Sequence, residues 1–213
     1  MKTVISHNAK ILAIFAVVCT AVVSLVSMLT KDEIAKQEQQ QLLSTLHQVI
    51  APERFDNDLY HTCQYVQDTQ LLGSKDTQTS YLAINGEDAV AVAITAVAPD
   101  GYNGNIHLLV AINVDGSVSG VRILKHLETP GLGDKVEIRK SDWVLSFNER
   151  EYEGVKDKRW TVKKDGGIFD QFTGATITPR AVVKAVKNAL IYFDQNKSKL
   201  LDEQHACRGN NEQ

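Results

Sequence analysis

The chain has 213 residues, with 23 Lys and Arg against 26 Asp and Glu, a formal net charge of −3. That near balance removes the electrostatic case for nucleic acid, and the length allows one membrane anchor and one globular domain with a real core. The six histidines are scattered and none of the three cysteines has a partner at metal-ligand spacing, which argues against zinc, haem or an iron–sulfur cluster.

In chain order, residues 11–29 form an uncharged, mostly apolar run. As a helix it reaches about 28 Å, close to the roughly 30 Å hydrocarbon core of a bilayer. A cleaved signal peptide is the competing reading, but the run is long for one and no small-x-small cleavage site precedes a mature start. Lys2, Lys10 and the amino terminus precede the run, whereas Lys31 is followed by Asp32 and Glu33. This modest bias predicts an N-terminus inside and the rest of the chain outside the cytoplasmic membrane. Residues 31–50 space their apolar positions helically from Leu42 onward, as a stalk that Pro52 ends. Residues 53–78 are mixed and polar, and no element is assigned there. Residues 89–97 read as a strand covered on both faces. Residues 106–114 and 117–125 flank Asp115-Gly116, a signal for a type I′ hairpin.

Gly131 and Gly133 break the next segment, and Ser141-Asp142 opens a short helix bearing Trp143, Val144 and Phe147. Alternating Trp160 and Val162 predict a short strand over 159–163. Thr178 reads as an N-cap with Pro179 at the first helical position. The helix then runs over 179–193, with Val182, Val183, Val186, Ala189, Leu190 and Phe193 on its apolar face. The tail after Asn196 is polar. The predicted fold class is α+β: an N-terminal transmembrane helix, then a twisted antiparallel sheet packed by helices. Cys19 falls in the apolar run. Cys63 and Cys207 both fall in the outer part, where an oxidising compartment permits a bridge between them; two separate thiols are the alternative.

No nucleophile–base pair stands at a convincing spacing, so turnover by the isolated chain is not expected. The chemistry concentrates instead in residues 170–179, around Asp170, Thr173, Gly174, Ala175 and Thr176. Gly174 permits a sharp turn and Ala175 adds little bulk, leaving the Thr176 hydroxyl open to an incoming enzyme. A phosphate esterified there would lie beside the N–H groups and positive dipole end of the following helix. An unmodified turn capping a helix is the plain alternative.

This segment resembles the flavin-attachment motif Asp-x-x-(Ser/Thr)-Gly-Ala-Thr of the G subunit of the Rnf electron transport complex and of the related C subunit of the sodium-pumping NADH:quinone reductase. Residues 98–102, 126–135 and 163–167 are also similar to stretches of the Rnf protein, and the anchor fits it. The resemblance implies FMN joined through its phosphate to Thr176 as a phosphodiester, with Asp170, Thr173, Gly174 and Ala175 forming the motif that a flavin transferase recognises. It also implies a ring slot at residues 128–133, where Leu132 is suited to pack on the ring, Thr129 to bond its edge and Glu128 to complete the wall. A structural Pro-Gly turn is the alternative there. Lys163 or Lys164 is a candidate to neutralise the phosphate or the reduced flavin.

The implied organisation is a cytoplasmic N-terminus over 1–10, a transmembrane helix over 11–29 and a helical stalk over 30–52. A connecting region over 53–88, an FMN-binding domain over 89–195 and a C-terminal tail over 196–213 complete it. The implied role is electron transfer between ferredoxin and NAD, coupled to ion translocation, by a single-pass inner-membrane subunit with a periplasmic domain. In some bacteria the complex helps keep a redox-sensing transcription factor reduced. The implied partners are the other subunits of the complex, including a second covalent-flavin membrane subunit and iron–sulfur subunits. A non-redox assembly subunit and a free-standing flavin reductase are the competing functions.

Overall fold

The computed structural model describes residues 2–154 and 157–202. The chain divides into two compact units, residues 1–44 and 45–213. Helix α1 spans Lys2–Val49. No glycine or proline interrupts it, so nothing breaks its i to i−4 ladder. Within the first unit its apolar side chains, Ile11, Phe15, Val22 and Leu29 among them, are exposed. The helix is long and apolar enough to cross a membrane, compatible with a single span. Thr30 donates its hydroxyl to the Val26 carbonyl at 2.9 Å, so this polar group is satisfied within the helix.

The second unit begins with the last turn of α1, where Leu46 and Val49 are buried together with Ile50. Pro52 then opens a single 3-10 turn, Pro52–Arg54. Five antiparallel strands follow, β1 Cys63–Val66, β2 Gln78–Asn85, β3 Asp88–Ala98, β4 Ile106–Asn113 and β5 Val118–Lys125. They lie in sequence order in one sheet, each paired with the next. Residues 53–88, expected as a connecting region, therefore supply two strands of the sheet. The β4–β5 hairpin falls where Asp115-Gly116 predicts it, but its turn is not type I′. Only Gly116 has a positive φ, +96°. Gly116 N donates to Asn113 O and Asn113 N to Ser117 O, each at 2.8 Å. This is the three-residue loop in which a tight turn ends on a left-handed glycine.

Both faces of the sheet are covered. One carries Val92, Ile94, Leu108, Val110 and Val121, which join a single core with helix α2, Ile177–Leu200. Val182, Val183, Val186, Ala189, Leu190 and Phe193 all lie in that core, as the 3.6-residue spacing requires. The other face is lined by small side chains such as Ala91, Ala93 and Ala111, all buried. A Cβ on Gly120 would stand 3.0 Å from Val49 Cα, so the end of α1 lies directly on the sheet there. Ser119 Oγ donates to Val49 O at 2.7 Å.

A 3-10 helix, Asp142–Phe147, begins at Ser141, whose side chain accepts from Trp143 N. Residues 159–163 do not form a strand; Val162 makes one isolated bridge to Phe169. Trp160 instead joins a knot of rings with Phe147 and Phe169. Helix α2 is longer at both ends than expected, running to the buried Leu200. Cys63 is buried in β1; Cys207, its candidate partner, lies outside the described residues.

Candidate functional site

Two reverse turns build the site. In the first, Leu132 N donates to Thr129 O at 3.1 Å, and Gly131 has φ +77°. Pro130 and Gly131 thus take the two central positions of a type II turn, the arrangement their φ preferences favour. In the second, Ala175 N donates to Phe172 O at 3.2 Å and Gly174 has φ +80°, again a type II turn with glycine where a positive φ is required. The two turns meet: a Cβ on Gly174 would stand 3.4 Å from Leu132 Cδ2.

The second turn is pinned from beneath. Trp143 Nε1 donates to Asp170 O at 2.7 Å, and its ring meets Phe172 edge-on at 5.1 Å. Phe169 stacks on Phe147 at 4.5 Å between centroids. A well-packed aromatic cluster thus fixes the backbone that presents residues 173–176.

Between the turns lies a cavity of about 330 Å³ lined by Tyr102, Glu128, Thr129, Leu132, Gly133, and residues 174–178, at the small end of ligand-pocket volumes. Six of the sequence-predicted residues come together on it: Thr176, Gly174, Ala175, Glu128, Thr129 and Leu132. Thr173 and Asp170 do not line it. Asp170 is exposed and pairs with Lys163 at 2.7 Å, so Lys163 faces the motif's own acid. Neither Lys163 nor Lys164 lines the cavity.

Thr176 takes the N-cap position of α2, with no side-chain capping bond and no acidic residue in the helix's first turn. Thr178 is therefore not the N-cap. It sits inside the helix, is fully buried, and donates its hydroxyl to Glu128 Oε2. Glu128 is 5% exposed. Its Oε1 accepts from Asn103 N at 3.1 Å, and its own N–H donates to His126 Nδ1 at 3.0 Å. His126 Nε2 is then the protonated nitrogen and donates to Glu137 Oε1 at 2.7 Å. Although burial pushes the Glu137 carboxyl up, bonds from His126 and Arg139 hold it below the ordinary range. Gly133, within the expected 128–133 slot, also lines the wall, whereas sequence reasoning missed Tyr102, Ile177 and Thr178 as wall residues. Tyr102 is 65% exposed in a turn, where an aromatic residue carries no local signal of its own.

The residues present fit a flavin nucleotide. A hydroxyl without a capping bond stands at the positive end of a 24-residue helix, where a phosphate is favoured. Leu132, Ala175, Ile177 and Tyr102 offer apolar surface for a flat ring. Thr129 and the backbone of two glycine turns offer polar groups for its edge. Among the described residues no group of three His, Cys, Asp or Glu is placed to hold a metal.

Comparison with known proteins defines the class first. Residues 101–191, which hold β4, β5, both turns and most of α2, match the FMN-binding domain family, and residues 1–49 match the RnfG N-terminal region. Over 207 residues the chain is 52% identical to the G subunit of the ion-translocating oxidoreductase complex of Shewanella loihica, covering 97% of this chain and 98% of that protein. Its counterpart in Shewanella piezotolerans is 51% identical over 212 residues, the full length of both chains. That of Aliivibrio fischeri strain MJ11 is 52% identical over 202 residues, 94% of this chain and 96% of that one. The chain belongs to the family of G subunits of ion-translocating oxidoreductase complexes, the Rnf type, and carries its FMN-binding domain.

Proposed function

We propose that this chain is an electron carrier holding FMN by a phosphodiester to Thr176 Oγ, and the single observation that carries the reading is the position of that hydroxyl. It lies on the wall of the cavity, opposite the 128–133 segment, at the head of α2, and has no capping bond to lose. FMN supplies one- and two-electron chemistry when bound. The protein holds, screens and exposes it. The first-turn N–H groups of α2 receive the phosphate, and Leu132, Ala175, Ile177 and Tyr102 exclude water from the ring. Thr129 bonds the ring's edge. Asp170 and Thr173 lie outside the cavity on the exposed side of the turn, where a flavin transferase reads them.

The carrier works as one member of a membrane complex that moves electrons between ferredoxin and NAD and couples this to ion translocation. Its redox neighbours are a second covalent-flavin membrane subunit and iron–sulfur subunits. The N-terminus is cytoplasmic and the domain periplasmic. Intact mass of the full chain, produced with and without a flavin transferase, tests the attachment. The expected result is a gain of one FMN less water, absent from Thr176→Val. An unmodified mass in the presence of active transferase overturns the reading and favours a role in assembly. A gain that survives in Thr176→Val moves the ester to Thr173 or Thr178.

A further inference from the structure

We propose that the buried Glu128 carboxylate is an electrostatic positioning residue that sets the electron affinity of the flavin in this cavity; the inference rests on FMN occupying the cavity as proposed above. Glu128 lies on the cavity wall, one-twentieth exposed. Both of its oxygens accept, one from the Asn103 N–H and one from the Thr178 hydroxyl, the pattern of a carboxylate held by neutral donors. Among the described residues no Lys, Arg or His makes an ion pair with it. Of the cations nearby in sequence, His126 and Arg139 face Glu137 and Lys140 faces Asp134.

The packing leaves this charge no freedom to withdraw. A Cβ on Gly133 would stand 2.7 Å from Glu128 Oε2 and 2.8 Å from Thr178 Oγ1. A Cβ on Gly101 would stand 3.0 Å from Glu128 Oε1. The carboxylate is thus caged by two glycines and two donors, and it joins three segments at the wall: the β3–β4 loop, the 128–133 segment and the first turn of α2. Besides these two donors, the positive end of α2 compensates it, and a phosphate on Thr176 would share that end. A fixed negative charge in a water-poor wall acts at higher effective strength than at the surface. It opposes the arrival of an electron in the cavity, so Glu128 holds the flavin as a poorer acceptor and a stronger donor than the bare turns would.

The test is a redox titration of the flavin-loaded full chain in detergent, with Glu128→Gln against wild type. Gln keeps the shape: its carbonyl accepts from Asn103 N while its amide donates to the Thr178 oxygen. The reduced-to-oxidised ratio at a fixed poise should rise at least tenfold in Glu128→Gln, which is 59 mV for one electron. Glu128→Asp, which keeps the charge, should recover most of that difference. A flavin loaded in both proteins with ratios equal within threefold overturns the inference and leaves Glu128 a purely structural clamp. Should Glu128→Gln fail to load, Thr178→Val is titrated instead. It removes one donor from the charge and lowers the ratio, and an unchanged ratio overturns the inference. A wild type that carries no FMN after transferase treatment defeats the site reading itself, and this inference with it.

Discussion

Gly133→Ala probes the clamp at the cavity wall most sharply. The added methyl would lie 2.7 Å from Glu128 Oε2, 2.8 Å from Thr178 Oγ1 and 3.0 Å from Glu128 Cβ. The first two fall short of an ordinary contact by roughly 0.7 Å. None of these atoms is the loose end of an exposed side chain: Glu128 and Thr178 are buried, and each holds the other. Forcing a methyl into a filled space costs about 1–3 kcal/mol. Separating a hydrogen bond to a charged group costs about 1.5–3 kcal/mol. The two overlap, because the methyl relieves its clash by opening the bond, so the net loss is about 2–4 kcal/mol.

For a unit of this size each kcal/mol moves Tm by roughly 2–4 °C, which gives a fall of roughly 5–15 °C. Trp143 and Trp160 are buried in the same unit, and their fluorescence reports its melting in detergent-solubilised full chain. Gly131→Ala is the companion variant. Gly131 has φ +77° with nothing near its Cβ position, so it bears only the left-handed backbone cost of about 1–2 kcal/mol. A Gly133→Ala protein that melts within 2 °C of wild type would refute the tight packing around Glu128.

Three further outcomes follow from the same geometry. Thr176→Val should abolish flavin loading yet move Tm by under about 2 °C, because Thr176 makes no capping bond and surface changes of this kind stay within about 0.5 kcal/mol; mass spectrometry and melting read the two effects separately. Trp143→Phe removes the donor to Asp170 O and should cost about 1–3 kcal/mol, with faster amide exchange of Ala175, whose N–H closes the turn beneath Thr176. Asp157 is held far below the ordinary carboxylate range, first by its side-chain bonds from Arg159, at 3.0 and 2.8 Å. A depressed acid contributes stability that is fully present above its unfolded value of about 3.9 and is lost as pH falls below that. Asp157→Asn should therefore lower stability at pH 7 and flatten the acid limb of a stability–pH curve below about pH 4; an acid limb as steep as wild type would count against the pair.

Much of this protein is determined locally and so is legible in the chain. The apolar run lacks glycine and proline, and β3, β4 and β5 carry the β-branched and small apolar residues that a covered strand needs. Pro130-Gly131 and Gly174 encode type II turns through their own φ preferences. The motif naming Thr176 is equally local. Other features depend on partners far along the chain. β1 has four residues, and β2 is buried on both faces with no alternation to reveal it. Thr178-Pro179 has the form of a cap and first turn, but the Thr178 hydroxyl goes to Glu128, 50 residues earlier, and α2 starts at Ile177. Asp115 keeps an ordinary φ, so the hairpin closes through a three-residue loop. Lys163 reads as a phosphate ligand by proximity in sequence, yet it meets Asp170. The sequence singles out Thr176 as the proposed attachment residue because an accessible hydroxyl there needs only a small, open turn. The wall that faces it exists only when two distant turns are brought together, so that a Cβ on Gly174 would touch Leu132 at 3.4 Å, a juxtaposition no local preference encodes.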